Sequence, residues 1–150
     1  MDAYDAKKAR RVWQRVQSAQ LPTAPQLEAD GLIVSAQTAK GVYLKLARQG
    51  LTGEAAGLKK LAEMKQSQID CLNGMRLLSA GGRHSHPPLP IPKESALAAL
   101  RRCHSIEVRT LREYELRTAE RDHGPIWFGL AEEQRNVCRI LLELMGRLDK

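Results

Sequence analysis

Apolar residues recur three and four positions apart in four stretches of the chain, which is the spacing of one face of an α-helix. The pattern predicts helices from Leu32 to about Arg48, from about Glu54 to Leu78, from about Lys93 to Glu120 and from Pro125 to about Leu148. On the first of them the apolar positions are Leu32, Ala36, Ala39, Tyr43 and Leu46. The chain is therefore predicted to be all-α.

Glycine and proline residues divide these helices into two pairs. Gly50 and Gly53 predict a turn between the first two helices. The segment 81–92, GGRHSHPPLPIP, contains four prolines that a helix interior does not accommodate, and it is predicted to be a linker. Two helical hairpins, 31–80 and 93–150, joined by a longer connection pack as a four-helix bundle.

Residues 1–30 are predicted to form an N-terminal arm with a short helix over 3–19. A chain of 150 residues, 43% of them hydrophobic, is long enough and apolar enough to bury one core. Residues 1–150 are therefore predicted to be a single domain. The two hairpins share the sequence Leu-Ala-Glu at 61–63 and 130–132, which suggests an internal duplication.

Polar residues interrupt the apolar stripes of the second and fourth helices at one level. On the second helix the inward positions are Leu58, Leu61, Lys65, Gln68, Leu72 and Met75. On the fourth helix Gln134 lies between Leu130 and Val137. A buried lysine or amide without partners costs several kcal/mol, so these side chains are expected to contact one another or other polar groups.

Four segments resemble the ferritin-like proteins of the rubrerythrin-like branch from anaerobic bacteria. They are AKGVYLKLARQ, LKKLAEMKQSQIDCL, LRRCHSIEVRTLREYELRTAE and FGLAEEQRNVCRILLEL, which together cover most of residues 32–145. The resemblance implies a ferritin-like four-helix bundle. Relatives with that fold hold two iron ions through a glutamate on each of two helices and a Glu-x-x-His pair on each of the other two.

The resemblance also implies that most of the iron ligands are missing. The single glutamate of the family usually lies seven residues before a tyrosine, and counting back from Tyr43 and Tyr114 gives Ala36 and Glu107. Only Glu107 is a usual ligand. The six vestigial di-iron positions are Ala36, Lys65, Gln68, Glu107, Gln134 and Val137.

Lys65 occupies a position that resembles one for a metal-bridging carboxylate. We therefore predict a buried ion pair between Lys65 and Glu107, with Gln68 and Gln134 completing its hydrogen bonds. The alternative is that these long polar side chains reach solvent at an open edge of the bundle. Because Glu63, Glu132 and Glu133 lie off the inward stripe, they are expected to be surface charges.

No cofactor is expected, and no catalytic residue is predicted. His104 and Glu107 on the third helix form a weak candidate metal pair, and His84 and His86 in the linker form another. Iron or manganese in a non-standard site is the alternative. In that case the protein would be a ferritin-like oxidoreductase or storage protein.

The formal net charge of +7 permits a nucleic acid or another polyanion as a partner. A solvated helix surface is the favoured reading of the scattered basic residues, and polyanion binding is the alternative. The charged N-terminus and the lack of a long apolar run predict a cytoplasmic protein without a membrane partner. Cys71, Cys103 and Cys138 show no metal-site spacing and are expected to be reduced packing residues.

The favoured interpretation is a non-catalytic, metal-free ferritin-like protein with a structural or interaction role. The resemblance further implies a homodimer. A basic helical module that binds nucleic acid is an additional alternative, distinguished by the salt dependence of its binding.

Overall fold

The computed structural model describes residues 24–50, 53–80, 91 and 93–148; the predicted N-terminal helix and most of the linker lie outside this part. The described part contains four α-helices. These are α1 (Ala24–Arg48), α2 (Ala55–Ala80), α3 (Ala96–Arg117) and α4 (Gly124–Leu148). The all-α prediction is confirmed for this part of the chain.

Helices α1 and α3 differ from their predicted bounds by three residues or more, and α3 ends at Arg117 instead of Glu120. Helix α1 begins at Ala24, before the predicted boundary between the arm and the first hairpin. Pro25 lies in its first turn, where a missing backbone N–H breaks no helical hydrogen bond. Helix α3 begins at Ala96 instead of Lys93 because the Ser95 Oγ atom accepts a hydrogen bond from the Ala98 N–H over 3.1 Å.

The helices pack as two antiparallel hairpins, α1 against α2 and α3 against α4, and the hairpins meet through α2 with α4 and α1 with α3. One apolar cluster joins residues 39–47 of α1, 58–62 of α2, 99–103 of α3 and 137–144 of α4. A second cluster joins residues 32–36, 69–75, 114 and 127–131. Helices α2 and α3 therefore run in the same direction, and α3 begins at the opposite end of the bundle from the end of α2.

The turn between α1 and α2 depends on two glycines. Gly50 and Gly53 have φ angles of 73° and 81°, a left-handed region that favours glycine. This confirms the predicted turn. None of the helices described here is long and apolar enough to cross a membrane.

The connection between α3 and α4 depends on the absence of a side chain at Gly124. A Cβ atom there would lie 2.7 Å from the backbone oxygen of Thr118, which cannot move without shifting the connection. We expect Gly124→Ala to lower the free energy of unfolding by about 1–3 kcal/mol, measured by urea denaturation.

The matched control is Gly129→Ala on the same helix, because a Cβ atom at Gly129 would meet nothing within 4 Å. Alanine has the higher helix propensity, so this change is expected to raise the free energy of unfolding by up to about 1 kcal/mol. Equal stability of Gly124→Ala and the unmodified protein would contradict the proposed crowding at the connection.

Candidate functional site

Lys65 lies in the interior of the bundle and forms a buried ion pair. It follows Leu58 and Leu61 by seven and four residues, which places it on the inward face of α2. Its Nζ atom lies 2.8 Å from Glu107 Oε1 on α3, and the two side chains are 0% and 1% exposed. The predicted ion pair is confirmed. The alternative, that Lys65 reaches solvent, is wrong because none of its side chain is accessible.

Two glutamine side chains complete the coordination of the ammonium group. Lys65 Nζ also donates to Gln68 Oε1 over 2.8 Å and to Gln134 Oε1 over 3.0 Å. An ammonium group has three N–H donors, so every donor of Lys65 has an acceptor. Gln68 Nε2 donates to Gln134 Oε1, and Gln134 Nε2 donates to both the backbone and side-chain oxygens of Glu107. The predicted roles of both amides are confirmed.

Two buried tyrosines extend this arrangement, and their roles were not predicted. The Tyr43 hydroxyl donates to Glu107 Oε2 over 2.7 Å, and the Tyr114 hydroxyl donates to Gln68 Oε1 over 2.9 Å. The sequence pattern placed Tyr43 on the inward face of its helix and used both tyrosines to locate the positions seven residues before them, but it gave no hydrogen-bond partner for either hydroxyl. Both tyrosines lie on inward helix faces near the buried polar residues, and this placement could have indicated that their hydroxyl groups hydrogen-bond there. We call these six residues the buried network: Tyr43, Lys65, Gln68, Glu107, Tyr114 and Gln134.

The buried network leaves no polar side-chain atom unpaired. Among the described residues, the only buried side-chain oxygen or nitrogen without a hydrogen-bond partner is Gln37 Oε1, which lies outside the network. An unpaired buried polar group typically costs about 1–3 kcal/mol, so a fully paired network removes the main penalty of burying these residues. The charges also balance, because one ammonium group faces one carboxylate.

Burial and the charge of Glu107 disfavour ionisation of the neighbouring tyrosine hydroxyl and cysteine thiol groups. Burial, and secondly the charge of Glu107, raise the pKa of Tyr43 and of Tyr114 well above the usual range. The same two causes raise the pKa of Cys103 to about 12 and that of Cys138 to about 11. The two tyrosines therefore remain hydrogen-bond donors, and both thiols remain protonated and poorly nucleophilic at neutral pH.

The two other positions predicted from the resemblance, Ala36 and Val137, contribute no metal ligand. Ala36 is 1% exposed and Val137 is 0% exposed, and both belong to the apolar clusters. Glu63 and Glu132 are exposed, as predicted for surface charges. Glu133 is only partly exposed, and its pKa is raised overall. Burial is the cause, and it outweighs the opposing effects of the hydrogen bond to Gln68 and of the Lys65 charge. The expectation that Glu133 is a simple surface charge is therefore only partly met.

The donor set in the described part of the chain does not suit a metal ion. These residues include no group of three or more His, Cys, Asp or Glu side chains that could hold one. His104 is partly exposed on α3, and the buried network does not include it. The candidate pair His84 and His86 lies outside the described residues.

Two open grooves lie on the surface, away from the buried network. One of about 280 Å³ lies between α1 and α3 and is lined by residues that include Leu32, Ile106 and Arg109. Another of about 350 Å³ lies between α1 and α2, beside Lys40 and Ile69. Neither groove is lined by a residue of the network, so neither gives a ligand direct contact with Lys65 or Glu107.

Comparison of the chain with protein-family models, with curated proteins and with solved structures gave no match in any of the three. The chemistry of the site follows from its own geometry. That geometry is one ammonium group, one carboxylate, two amides and two phenols, all enclosed by apolar side chains.

Removing the Lys65 charge tests how strongly the ion pair holds the bundle. In Lys65→Met the Glu107 carboxylate keeps its burial and loses its cation. Breaking a buried pair in this way is expected to lower the free energy of unfolding by about 3–5 kcal/mol, measured by urea denaturation.

Two further variants make this result specific. Lys60→Met removes an exposed lysine from the same helix and is expected to change stability by less than about 0.5 kcal/mol. Lys65→Met/Glu107→Leu removes both charges and is expected to recover part of the loss. If Lys65→Met were no less stable than Lys60→Met, the ion pair would not support the fold.

The buried thiols and phenols predict a loss of stability at alkaline pH. A thiol with a pKa of 9.0 when unfolded and about 12 when folded keeps its proton longer in the folded state. Its stabilising contribution is complete below pH 9 and is lost as the pH rises toward 12. Measured between pH 9 and 11, the free energy of unfolding is expected to fall less steeply in Cys103→Ala, by up to about 1.4 kcal/mol per pH unit. Identical slopes would contradict the raised pKa.

Proposed function

We propose that this chain is a ferritin-like protein of the rubrerythrin-like branch whose di-iron site has been replaced by the ammonium group of Lys65. In this proposal the protein is non-catalytic and free of metal, and it acts in the cytoplasm as a structural or interaction protein. The observation that carries the proposal is the contact of Lys65 with three acceptors in the interior, Glu107, Gln68 and Gln134.

The electrostatics of the replacement support this proposal. A di-iron bundle of this kind buries four carboxylates, which require the charge of the two metal ions. At the corresponding level the described residues include one fully buried carboxylate, Glu107, and one internal cation, Lys65. Removing three acids and adding one lysine is a charge-balanced way to lose the metal, because leftover carboxylates would be buried without a counter-charge.

The path of the chain also supports the resemblance. Ferritin-like bundles consist of two helical hairpins joined by one long crossover. Here α2 and α3 run in the same direction, so the connection between them joins opposite ends of the bundle. A simple up-down-up-down bundle would instead join neighbouring ends.

The complete hydrogen bonding of the Lys65 ammonium group argues against a catalytic role for the buried network. All three of its N–H groups are engaged, and the pKa values of the two tyrosines are raised well above neutral pH. The two tyrosines therefore stay protonated at neutral pH, and neither of the two grooves described above is lined by Lys65 or by either tyrosine. The proposed role therefore depends on the surface of the protein. The resemblance implies that the protein is a homodimer.

Restoration of the ligands tests the proposal directly. The variant Ala36→Glu/Lys65→Glu/Gln68→His/Gln134→Glu/Val137→His would complete the six-ligand pattern around Glu107. After refolding with excess Fe(II) and dialysis, we expect about two iron ions per restored chain and less than about 0.1 per unmodified chain, measured by elemental analysis without a histidine tag.

The matched control keeps Lys65 and carries the other four substitutions. It is expected to bind far less iron than the restored variant, because an ammonium group remains where a bridging carboxylate is needed. Stoichiometric iron or manganese in the unmodified protein would instead favour the alternative, a metal-binding ferritin-like protein with a non-standard site. Failure of the restored variant to bind iron while folded would contradict the ferritin-like assignment of these positions.

A further inference from the structure

Charged residues are separated along the length of the bundle. The half of the bundle around the first apolar cluster comprises residues 37–50, 53–64, 93–106 and 135–148, with eleven Lys and Arg and four Asp and Glu; of these, Arg135 lies at the boundary and pairs with Glu115 and Glu132. The half around the second apolar cluster comprises residues 30–35, 66–80 and 108–133, with five Lys and Arg and eight Asp and Glu. We call these the basic half and the acidic half. The described part of the molecule is therefore strongly dipolar.

Four basic side chains of the basic half flank the turn between α1 and α2. Lys45 and Arg48 lie in the last turn of α1, and Lys59 and Lys60 lie near the start of α2. None of these four has an ion-pair partner among the described residues, whereas Arg102 and Arg147 in the same half contact Glu94 and Glu54. The end of the bundle that contains this turn, called the turn end, therefore carries uncompensated positive charge at its surface.

The two halves also differ in their exposed apolar side chains. Six of the seven large hydrophobic residues exposed in the described part belong to the acidic half, and only Leu142 belongs to the basic half. Protein interfaces depend on buried apolar and aromatic anchors, and among the large hydrophobic residues the basic half offers only Leu142 for this purpose. Its single Phe, Tyr or Trp residue, Tyr43, is 0% exposed, which leaves the partly exposed imidazole of His104 as the one ring in this half that could stack on an unpaired base. A partner of this half is therefore expected to be recognised mainly by charge.

We propose that the basic half binds the phosphate backbone of double-stranded nucleic acid without reading its bases. Duplexes present closely spaced phosphates, and Lys and Arg contacts to them release counterions, which is sufficient for binding without sequence recognition. The acidic half is repelled by the same phosphates, so the bundle binds through its turn end. This inference rests on the proposed function in one respect, because it names a partner for a protein that acts through its surface.

Two triple variants with the same change in net charge test this proposal. Arg48→Gln/Lys59→Gln/Lys60→Gln removes three exposed charges from the basic half, and Arg109→Gln/Arg112→Gln/Arg121→Gln removes three from the acidic half. Fluorescence anisotropy of a labelled duplex of about 20 base pairs, from about 50 to about 200 mM KCl, gives Kd and its salt dependence. Circular dichroism and thermal unfolding confirm that both variants are folded.

The basic-half variant is expected to lose more than about tenfold in affinity at 100 mM KCl, and the slope of log Kd against log salt is expected to fall by about 3. The acidic-half variant is expected to change affinity by less than about twofold. Three outcomes would overturn the proposal: no binding at about 50 mM salt, equal losses in the two variants, or tighter binding to polyglutamate than to the duplex. Metal in the unmodified protein would contradict the proposed function and leave this comparison unaffected.

Discussion

The buried ammonium group of Lys65 is the constraint on which the rest of the bundle depends. A charge without access to water must have every donor paired, and its acceptors come from its own helix, from α3 through Glu107 and from α4 through Gln134. Helix α1 joins through Tyr43, which donates to the second oxygen of Glu107. All four helices are thereby tied together at one level, between the two apolar clusters. A shift of any helix along its axis would leave a buried polar atom unpaired.

Each hairpin contains a tyrosine that donates a hydrogen bond to the other hairpin. Tyr43 reaches from the first hairpin to Glu107 in the second, and Tyr114 reaches from the second hairpin to Gln68 in the first. These reciprocal contacts agree with the hypothesis of an internal duplication, which remains a hypothesis. The contacts differ in chemistry because the position seven residues before Tyr43 is Ala36, which has no acceptor. Tyr114 therefore donates to an amide, whereas Tyr43 donates to a carboxylate.

The sequence predicted the interior better than the helix ends or the hydroxyl partners. Helical spacing gives the face and the level of a side chain, which was sufficient to bring Lys65 and Glu107 together from different hairpins. It does not give the separation between helices, which decides which acceptor a tyrosine hydroxyl reaches. The start of α1 at Ala24 was missed because the inward apolar stripe begins only at Leu32. The start of α3 depends on the cap formed by Ser95, a local contact that periodicity does not report.

The charge balance of the interior has a consequence for the surface. Because Lys65 and Glu107 compensate each other, the external field of the bundle is set by surface residues alone. Exposed ion pairs contribute little to stability, typically less than about 1 kcal/mol each, so the fold does not require basic residues at one end and acidic residues at the other. The apolar clusters and the buried network would be equally satisfied by a mixed surface. The separation of charge is therefore a property that the fold permits without requiring it, and its physical effect is to orient the molecule in the field of a charged partner.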